Sequence, residues 1–266
     1  KTTPASIEFV QGIRSPIRLG SEVFNDGSLS EGKLNQVIET IREYEDIFKE
    51  KSISHYEIVA TSAFRDTSNS EDARRYIETA INHPLRIISG LEEAKLIRFH
   101  PKSNTGKNKI FIDLGGGSTE FFIRNEKDTT IRSFQLGAVR NMLEKDEKRE
   151  WVRLEKWLKS IKPKKKIIGI GGNIRSFLDA HKSKEMSQAE FGKKVQSIAK
   201  LSTEEKMKKY EFSHDRADVI DHALKIFKFI SEQLEIQQIT STKWGISDSI
   251  AIKLFHEIYS SKITIT

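Results

Sequence analysis

The chain has 266 residues, 31% of them charged, with a net charge of +7 and no cysteine, and its mean hydropathy is −0.51. That length allows one large domain or two of ordinary size. The composition excludes disulfides and cysteine–metal sites. With no run of about 18 apolar residues, it also excludes a membrane-spanning helix. The absence of cysteine fits a cytoplasmic protein, and no apolar segment follows Lys1-Thr2-Thr3-Pro4, so no signal peptide is expected. The positive charge favours anionic partners such as polyphosphate, nucleotides or nucleic acid.

In chain order, Ser6 to Val10 alternates as a strand does, and Ile17 to Leu19 suggests a second. Arg18 precedes Gly20, read as a turn, and is either a phosphate ligand or half of a surface ion pair. After the turn Asn25-Asp26-Gly27, Ser30 reads as an N-cap. The stripe Leu34, Val37, Ile38, Ile41, Tyr44, Ile47 and Phe48 then marks the core face of a helix. Tyr56 to Ala60 reads as a strand leading into Thr61-Ser62-Ala63-Phe64-Arg65-Asp66. Ligands of open α/β sheets sit beyond such strand ends. There Arg65 either grips phosphate bidentately or pairs with Asp66. Ser70 reads as the cap of a helix through Ala80, and Leu85 to Ile88 as a short strand. Ser89 and Glu92 have capping-box spacing. That leaves Glu93, in the same first turn, to complement the helix dipole or to act as a general base. The polar segment Pro101 to Asn108, with Lys102, Gly106 and Lys107, is read as the border between domains 1–104 and 105–266.

Lys109 to Ile123 follows, and the rest of the chain is organised around it. Two apolar strands flank Gly115, Gly116 and Gly117, so a hairpin with a glycine-rich turn is expected. Glycines permit positive φ and let backbone N–H groups approach an anion, and consecutive N–H groups form a nest for phosphate oxygens. Ser118 and Thr119 add hydroxyls. Asp113 is placed to hold Mg2+, and Glu120 to serve the same ion or orient a water. Taken alone, the segment favours a tight turn with a solvated carboxylate at each end; the two other phosphate-type segments of the chain reverse that preference.

Ile131 to Leu136 extends this sheet, and Trp151, Leu154, Trp157, Leu158 and Ile161 mark an amphipathic helix. The basic run Lys162-Pro163-Lys164-Lys165-Lys166 reads as a solvated loop. Ile167 to Phe177 reads as strand, glycine turn and helix, a geometry suited to an anion at a helix N-terminus. It lacks the Gly-Lys-Ser/Thr of a Walker loop. Helices are expected over Glu190 to Lys200, Glu204 to Tyr210 and Asp215 to about Leu234. A strand over Gln238 to Ser241 and a last helix after Trp244-Gly245 complete the chain. His214, His222 and His256 show no metal spacing and read as structural groups.

These segments, in this order, resemble the exopolyphosphatase / guanosine pentaphosphate phosphohydrolase (Ppx/GppA) family, within the actin-like ATPase and sugar-kinase superfold. The resemblance rests on Arg18-Leu19-Gly20, Ala60 to Arg65, Ser89-Gly90-Leu91-Glu92-Glu93-Ala94, Ile112 to Glu120, Gly169-Ile170-Gly171-Gly172 and Arg216-Ala217-Asp218-Val219-Ile220. It implies an α/β fold of two ribonuclease-H-like domains with mixed sheets flanked by helices around a cleft. It also implies Mg2+- or Mn2+-dependent hydrolysis of a terminal phosphoanhydride in polyphosphate or guanosine pentaphosphate. By match to the family's motifs, Glu93 is the general base and Asp113 and Glu120 are metal and water ligands. Arg65, Gly115, Gly116, Gly117, Ser118 and Thr119 match phosphate contacts, and Arg18 is a further candidate. No membrane or specific nucleic-acid partner is expected, and a homodimer is left open.

Three departures bear on activity. The family's N-terminal Asp-x-Gly-Ser/Thr-Asn-Ser/Thr turn has no counterpart in these residues. Asn173 stands where the family usually has threonine, and Gly245-Ile246-Ser247-Asp248-Ser249 replaces Gly-Leu-Arg-Glu-Gly. A non-catalytic polyphosphate or (p)ppGpp sensor on the same fold is therefore the alternative. A kinase is disfavoured, because nothing marks an adenosine pocket or an acceptor site.

Overall fold

The computed structural model describes residues 9–104, 108–125 and 128–260, with backbone alone at Ser260. The part of the first expected strand on Ser6 to Glu8, and the boundary residues Gly106 and Lys107, lie outside the described residues. The chain forms two compact units, one running to Ser89 and resuming at Ile246, the other spanning Gly90–Gly245.

In the first unit, α1 (Leu19–Asp26) begins after Arg18, whose φ of 57° turns the chain into the helix. The expected strand over Ile17 to Leu19 is therefore absent, and Gly20 lies inside a helix rather than in a turn. Three apolar residues carry too little period to separate strand from helix. Burial of Val23 and Phe24 on one side of α1 decides it. Gly27, with φ 78°, closes α1 as a left-handed C-cap. The Ser30 hydroxyl accepts from Lys33 N at 3.2 Å and caps α2 (Glu31–Glu50), as expected.

Strand β1 (Ile58–Ala60) is followed by α3 (Ser62–Asp66), α4 (Ser70–Ile81) and β2 (Leu85–Ile87). The two strands pair in parallel, Ile58 beside Leu85. Among the described residues these two are the whole sheet of this unit, smaller than the ribonuclease-H-like sheet expected here. Ser70 is the first residue of α4 rather than its cap. Asn69 occupies the cap position, and Ser70 Oγ donates instead to Phe64 O at 2.5 Å.

The second unit opens with α5 (Gly90–Leu96). A meander follows: β3 (Lys109–Leu114), β4 (Thr119–Arg124) and β5 (Thr129–Phe134), then α6 (Ala138–Met142) and α7 (Lys148–Ser160). Next come β6 (Lys166–Ile170), α8 (Gly172–Ala180), β7 (Glu185–Ser187), α9 (Gln188–Ile198) and α10 (Thr203–Tyr210). The unit ends with α11 (His214–Ala217), α12 (Ile220–Gln233) and β8 (Gln238–Ser241), and α13 (Ile246–Ser260) returns to the first unit. The long helix expected from Asp215 is thus two helices, interrupted at Asp218 and Val219.

The six strands run in the order β5-β4-β3-β6-β8-β7. Three antiparallel strands followed by two parallel crossovers make the ribonuclease-H-like pattern. Strand β3 lies between an antiparallel and a parallel neighbour and is buried on both faces. This is why Lys109 to Leu114 reads as a nearly unbroken apolar run rather than an alternation. Helices flank the sheet around a core that includes Ile110, Ile112, Phe121, Ile167, Phe177 and Phe227. The Phe121 ring meets Phe134 and Trp157 edge-on, with centroids 5.5 and 4.9 Å apart.

The unit border falls at Gly90, not at residue 104, because α5 packs on β4 and β5. Pro101 to Asn104 lie in turns within the second unit. Polarity marks solvent exposure, not the limit of a core. Among the described residues no helix is long and apolar enough to cross a membrane.

Candidate active site

The β3–β4 register sets Asp113 opposite Glu120. Strand β3 also runs parallel to β6, with Asp113 beside Ile170. The glycine turn after β6 therefore reaches the same strand ends. A Cβ on Gly171 would stand 3.5 Å from Asp113 Oδ1 and from Leu114 O. Gly171 has φ 98° and ψ 169°, a region essentially restricted to glycine. The two glycine segments recognised in the sequence thus meet at the carboxyl ends of neighbouring parallel strands, where α/β sheets bind ligands.

Positive φ does not account for the glycine triplet: Gly115, Gly116 and Gly117 all lack it. Close packing does. The Gly115 and Gly116 carbonyls accept from the first amides of α6, Ala138 N at 3.0 Å, Val139 N at 2.8 Å and Arg140 N at 3.0 Å. Arg140 Nε donates to Gly117 O at 3.0 Å. All three carbonyls are therefore turned onto α6. Among the described residues the Gly116 and Gly117 amides donate to no protein acceptor. Successive backbone amides of this kind can form an anion nest. Gly115 N is committed to Ser118 O at 3.0 Å, so Gly115 shapes the loop rather than offering its N–H.

The two hydroxyls also depart from expectation. Thr119 is fully buried and its Oγ1 donates to Leu136 O at 2.5 Å, so this hydroxyl anchors the loop. The Ser118 hydroxyl bonds to the Glu120 carboxylate, as does Ser133 Oγ, at 2.9 Å.

Helix α5 lays its first turn over the hairpin. A Cβ on Gly90 would collide with Ser133 Oγ and come within 3.1 Å of Glu120 Oε1. Glu93 follows in the same turn, 8% exposed. Burial and then the Glu93 carboxylate push Asp113 up to about 7. Burial, then Glu93 and Asp113, raise Glu120 well above the usual carboxylate range, against the opposing effect of its two hydroxyl donors. Three carboxylates thus share one partly dry site and repel one another.

Arg18 and Arg65 belong to the first unit, while Glu93, Asp113, Glu120 and the glycine loop belong to the second. Arg65 lies in α3, not in a loop, and its Nη1 donates to Ile88 O at 2.7 Å beyond the end of β2. Helix α1, which Arg18 precedes, packs against α3. The basic run is not simply solvated. Lys164 is 7% exposed, its Nζ reaches Asn125 Oδ1 at 3.4 Å, and burial lowers its ammonium pKa.

Among the described residues no group of three or more acidic or histidine side chains is arranged to hold a metal ion by itself. Mg2+ usually takes one or two carboxylates and completes its shell with water and substrate phosphates. The opposed pair Asp113 and Glu120 fits that mode of binding and not an all-protein cage.

Nothing in the sequence singles out Gly137, Ser133 or Arg140 as site residues. A Cβ on Gly137 would stand 2.5 Å from Gly116 C and O and from Gly117 N, so only glycine there lets α6 approach the loop. The available signal was a glycine directly after an expected strand. Arg216 Nη1 donates to Asn173 Oδ1, and the guanidinium lies against Gly172, so the arginine covers the start of α8.

Among solved structures, the chain is similar to the Ppx/GppA family member from Aquifex aeolicus, with 22% identity, 91% of this chain and 88% of that chain covered, and a TM-score of 0.72. It is also similar to an exopolyphosphatase from Cytophaga hutchinsonii, with 19% identity, the same 91% and 88% coverage, and a TM-score of 0.78. These likenesses concern the fold. A model of the Ppx/GppA phosphatase family matches residues 1–257, and the chain belongs to that family.

Proposed function

We propose that the chain is a Mg2+- or Mn2+-dependent hydrolase that releases the terminal phosphate of linear polyphosphate, of guanosine pentaphosphate, or of both. One observation carries this reading: the Gly116 and Gly117 amides, which donate to no protein acceptor among the described residues, lie in the turn between Asp113 and Glu120, two carboxylates that repel each other and are repelled by Glu93. The first feature attracts an anion. The second needs a cation to become fully ionised, and a substrate–metal pair supplies both.

In this reading the glycine loop holds the terminal phosphate by its amides; Arg65, by its match to the family's motif, and Arg18 are carried as proposed phosphate ligands. Asp113 and Glu120 would hold the divalent ion, which when bound supplies charge neutralisation to the phosphate oxygens. Glu93 takes the proton of an in-line water as the new P–O bond forms. The bridging P–O bond breaks, giving orthophosphate and a chain one unit shorter. Phosphoryl transfer of this kind depends mostly on positioning and charge. A cytoplasmic location belongs to the same proposal and is supported by the cysteine-free composition.

The second reading, a polyphosphate or (p)ppGpp sensor without turnover, is favoured by Asn173 and Ser247, which stand where the family's usual residues do not. Orthophosphate release from both substrates, with Mg2+ and with chelator, separates the two. Turnover that Mg2+ restores supports the hydrolase, and tight binding without turnover supports the sensor.

A further inference from the structure

Helix α6 is five residues long, too short to be stable by itself. Yet its first amides and Arg140 Nε engage all three carbonyls of the glycine loop. Asn141, 5% exposed, ties this helix to its neighbours through a chain of side-chain hydrogen bonds. Asn141 Nδ2 donates to Asp146 Oδ2 at 2.8 Å. The same oxygen accepts from Trp151 Nε1 of α7 at 2.5 Å. Asn141 Oδ1 lies 3.0 Å from His222 Nδ1 of α12.

The partners fix the roles. An ionised carboxylate only accepts, so Asp146 decides which end of the Asn141 amide is NH2. Oδ1 then remains as an acceptor, and His222 must carry a proton on Nδ1. On its far side His222 Nε2 stands 4.0 Å from Asp221 Oδ2. Asp221 Oδ1 pairs at 2.7 Å with Lys206 Nζ of α10, itself buried. The charges facing His222 are Asp221 and Asp146 against Lys206 and Lys225. Its neutral form already satisfies Asn141.

We propose that Asn141 and His222 are positioning residues for the glycine loop. Together they hold α6 where it draws the Gly115–Gly117 carbonyls inward and leaves the loop's amides for an anion. Only the identity of that anion rests on the phosphate reading above.

The test compares His222→Phe and Asn141→Leu, which remove the bond, with His222→Asn, whose amide nitrogen replaces Nδ1. Two readouts are taken on the whole protein. One is amide hydrogen exchange over residues 134–143. The other is the Kd of inorganic tripolyphosphate with Mg2+, measured in a Glu93→Gln background to suppress hydrolysis. His222→Phe and Asn141→Leu should speed exchange at Ala138 to Arg140 and weaken tripolyphosphate by about 10-fold. His222→Asn should restore both. Asn141→Leu reads the same bond from the other side should His222→Phe not fold. When Gly137→Ala has already displaced the loop, His222→Phe should cost no further affinity, whereas a general loss of stability would add. Unchanged exchange in His222→Phe, or its full affinity loss on top of Gly137→Ala, overturns the assignment. Faster exchange in a protein whose parent binds no tripolyphosphate supports the positioning role and removes the phosphate reading instead.

Discussion

Replacing Gly137 by alanine places one methyl group 2.5 Å from Gly116 C and O and Gly117 N. Backbone does not yield as a flexible side chain does, and ordinary contacts begin at 3.4 Å. The glycine loop must therefore withdraw by about 1 Å to escape the repulsion. Gly137 has φ −150°, which any residue adopts, so the effect is steric alone. The same withdrawal takes the 2.8–3.0 Å bonds from Ala138, Val139 and Arg140 to nearly 4 Å, beyond hydrogen-bonding distance. Misplacement of that size costs about 10²-fold in rate, and overpacking costs about 1–3 kcal/mol of stability. The assay is kcat/KM for orthophosphate release, read beside a thermal melt. Gly115→Ala is the stability control, because its Cβ would meet Ser118 O at an ordinary 3.5 Å. Its melt should stay close to the parent's. A Gly137→Ala protein with parental kcat/KM would refute the claim that α6 sets the glycine loop.

Glu93→Gln should lower kcat by about 10²–10⁴-fold, while the metal-free melting temperature holds or rises, since one of three repelling carboxylates is gone. Parental kcat would remove Glu93 from the base role. Asp113, at about 7 in the fold against 3.8 unfolded, binds its proton more tightly when native. Its contribution to stability is therefore full below about pH 4 and is lost as pH rises through about 7. Melts in chelator should decline across that window from this group, and Mg2+ should bind more tightly as pH rises through it. Titration calorimetry at pH 6 and 8 showing equal Mg2+ affinity would contradict the metal assignment. Thr119→Val leaves Leu136 O without its donor and should cost about 1–3 kcal/mol in a denaturant titration.

The hairpin was legible because its signals are local. Apolar runs before Asp113 and after Glu120, with glycines between, specify both strands and their turn, and the register then sets the two carboxylates opposite each other. The second glycine turn was equally legible, since Ile167 to Phe177 carries strand, glycine and helix patterns in sequence. What joins the turns was not. It depends on the parallel pairing of β3 with β6, a contact between residues more than fifty positions apart. Helix α6 escaped notice because five residues give no helical period. Gly137 escaped because its constraint is a steric contact with Gly116, not a turn. The serine and threonine hydroxyls were assigned to ligand by residue type, but burial turned them onto Glu120 and Leu136. The unit border was misplaced because α5 is joined to the second sheet by a contact of Gly90 with Ser133 and Glu120, which no composition shift announces.

Hydrolysis of a terminal phosphoanhydride is proposed for the glycine loop and the three carboxylates of the second unit. The most direct measurement is orthophosphate release by the purified full-length protein and its Glu93→Gln variant. Each is given polyphosphate or guanosine pentaphosphate, with Mg2+ or with chelator. The parent should release orthophosphate with Mg2+ from at least one substrate and none with chelator, and Glu93→Gln should lose about 10²-fold or more. Binding of both substrates with Mg2+ but no release, or release that neither chelator nor Glu93→Gln diminishes, would contradict the proposal.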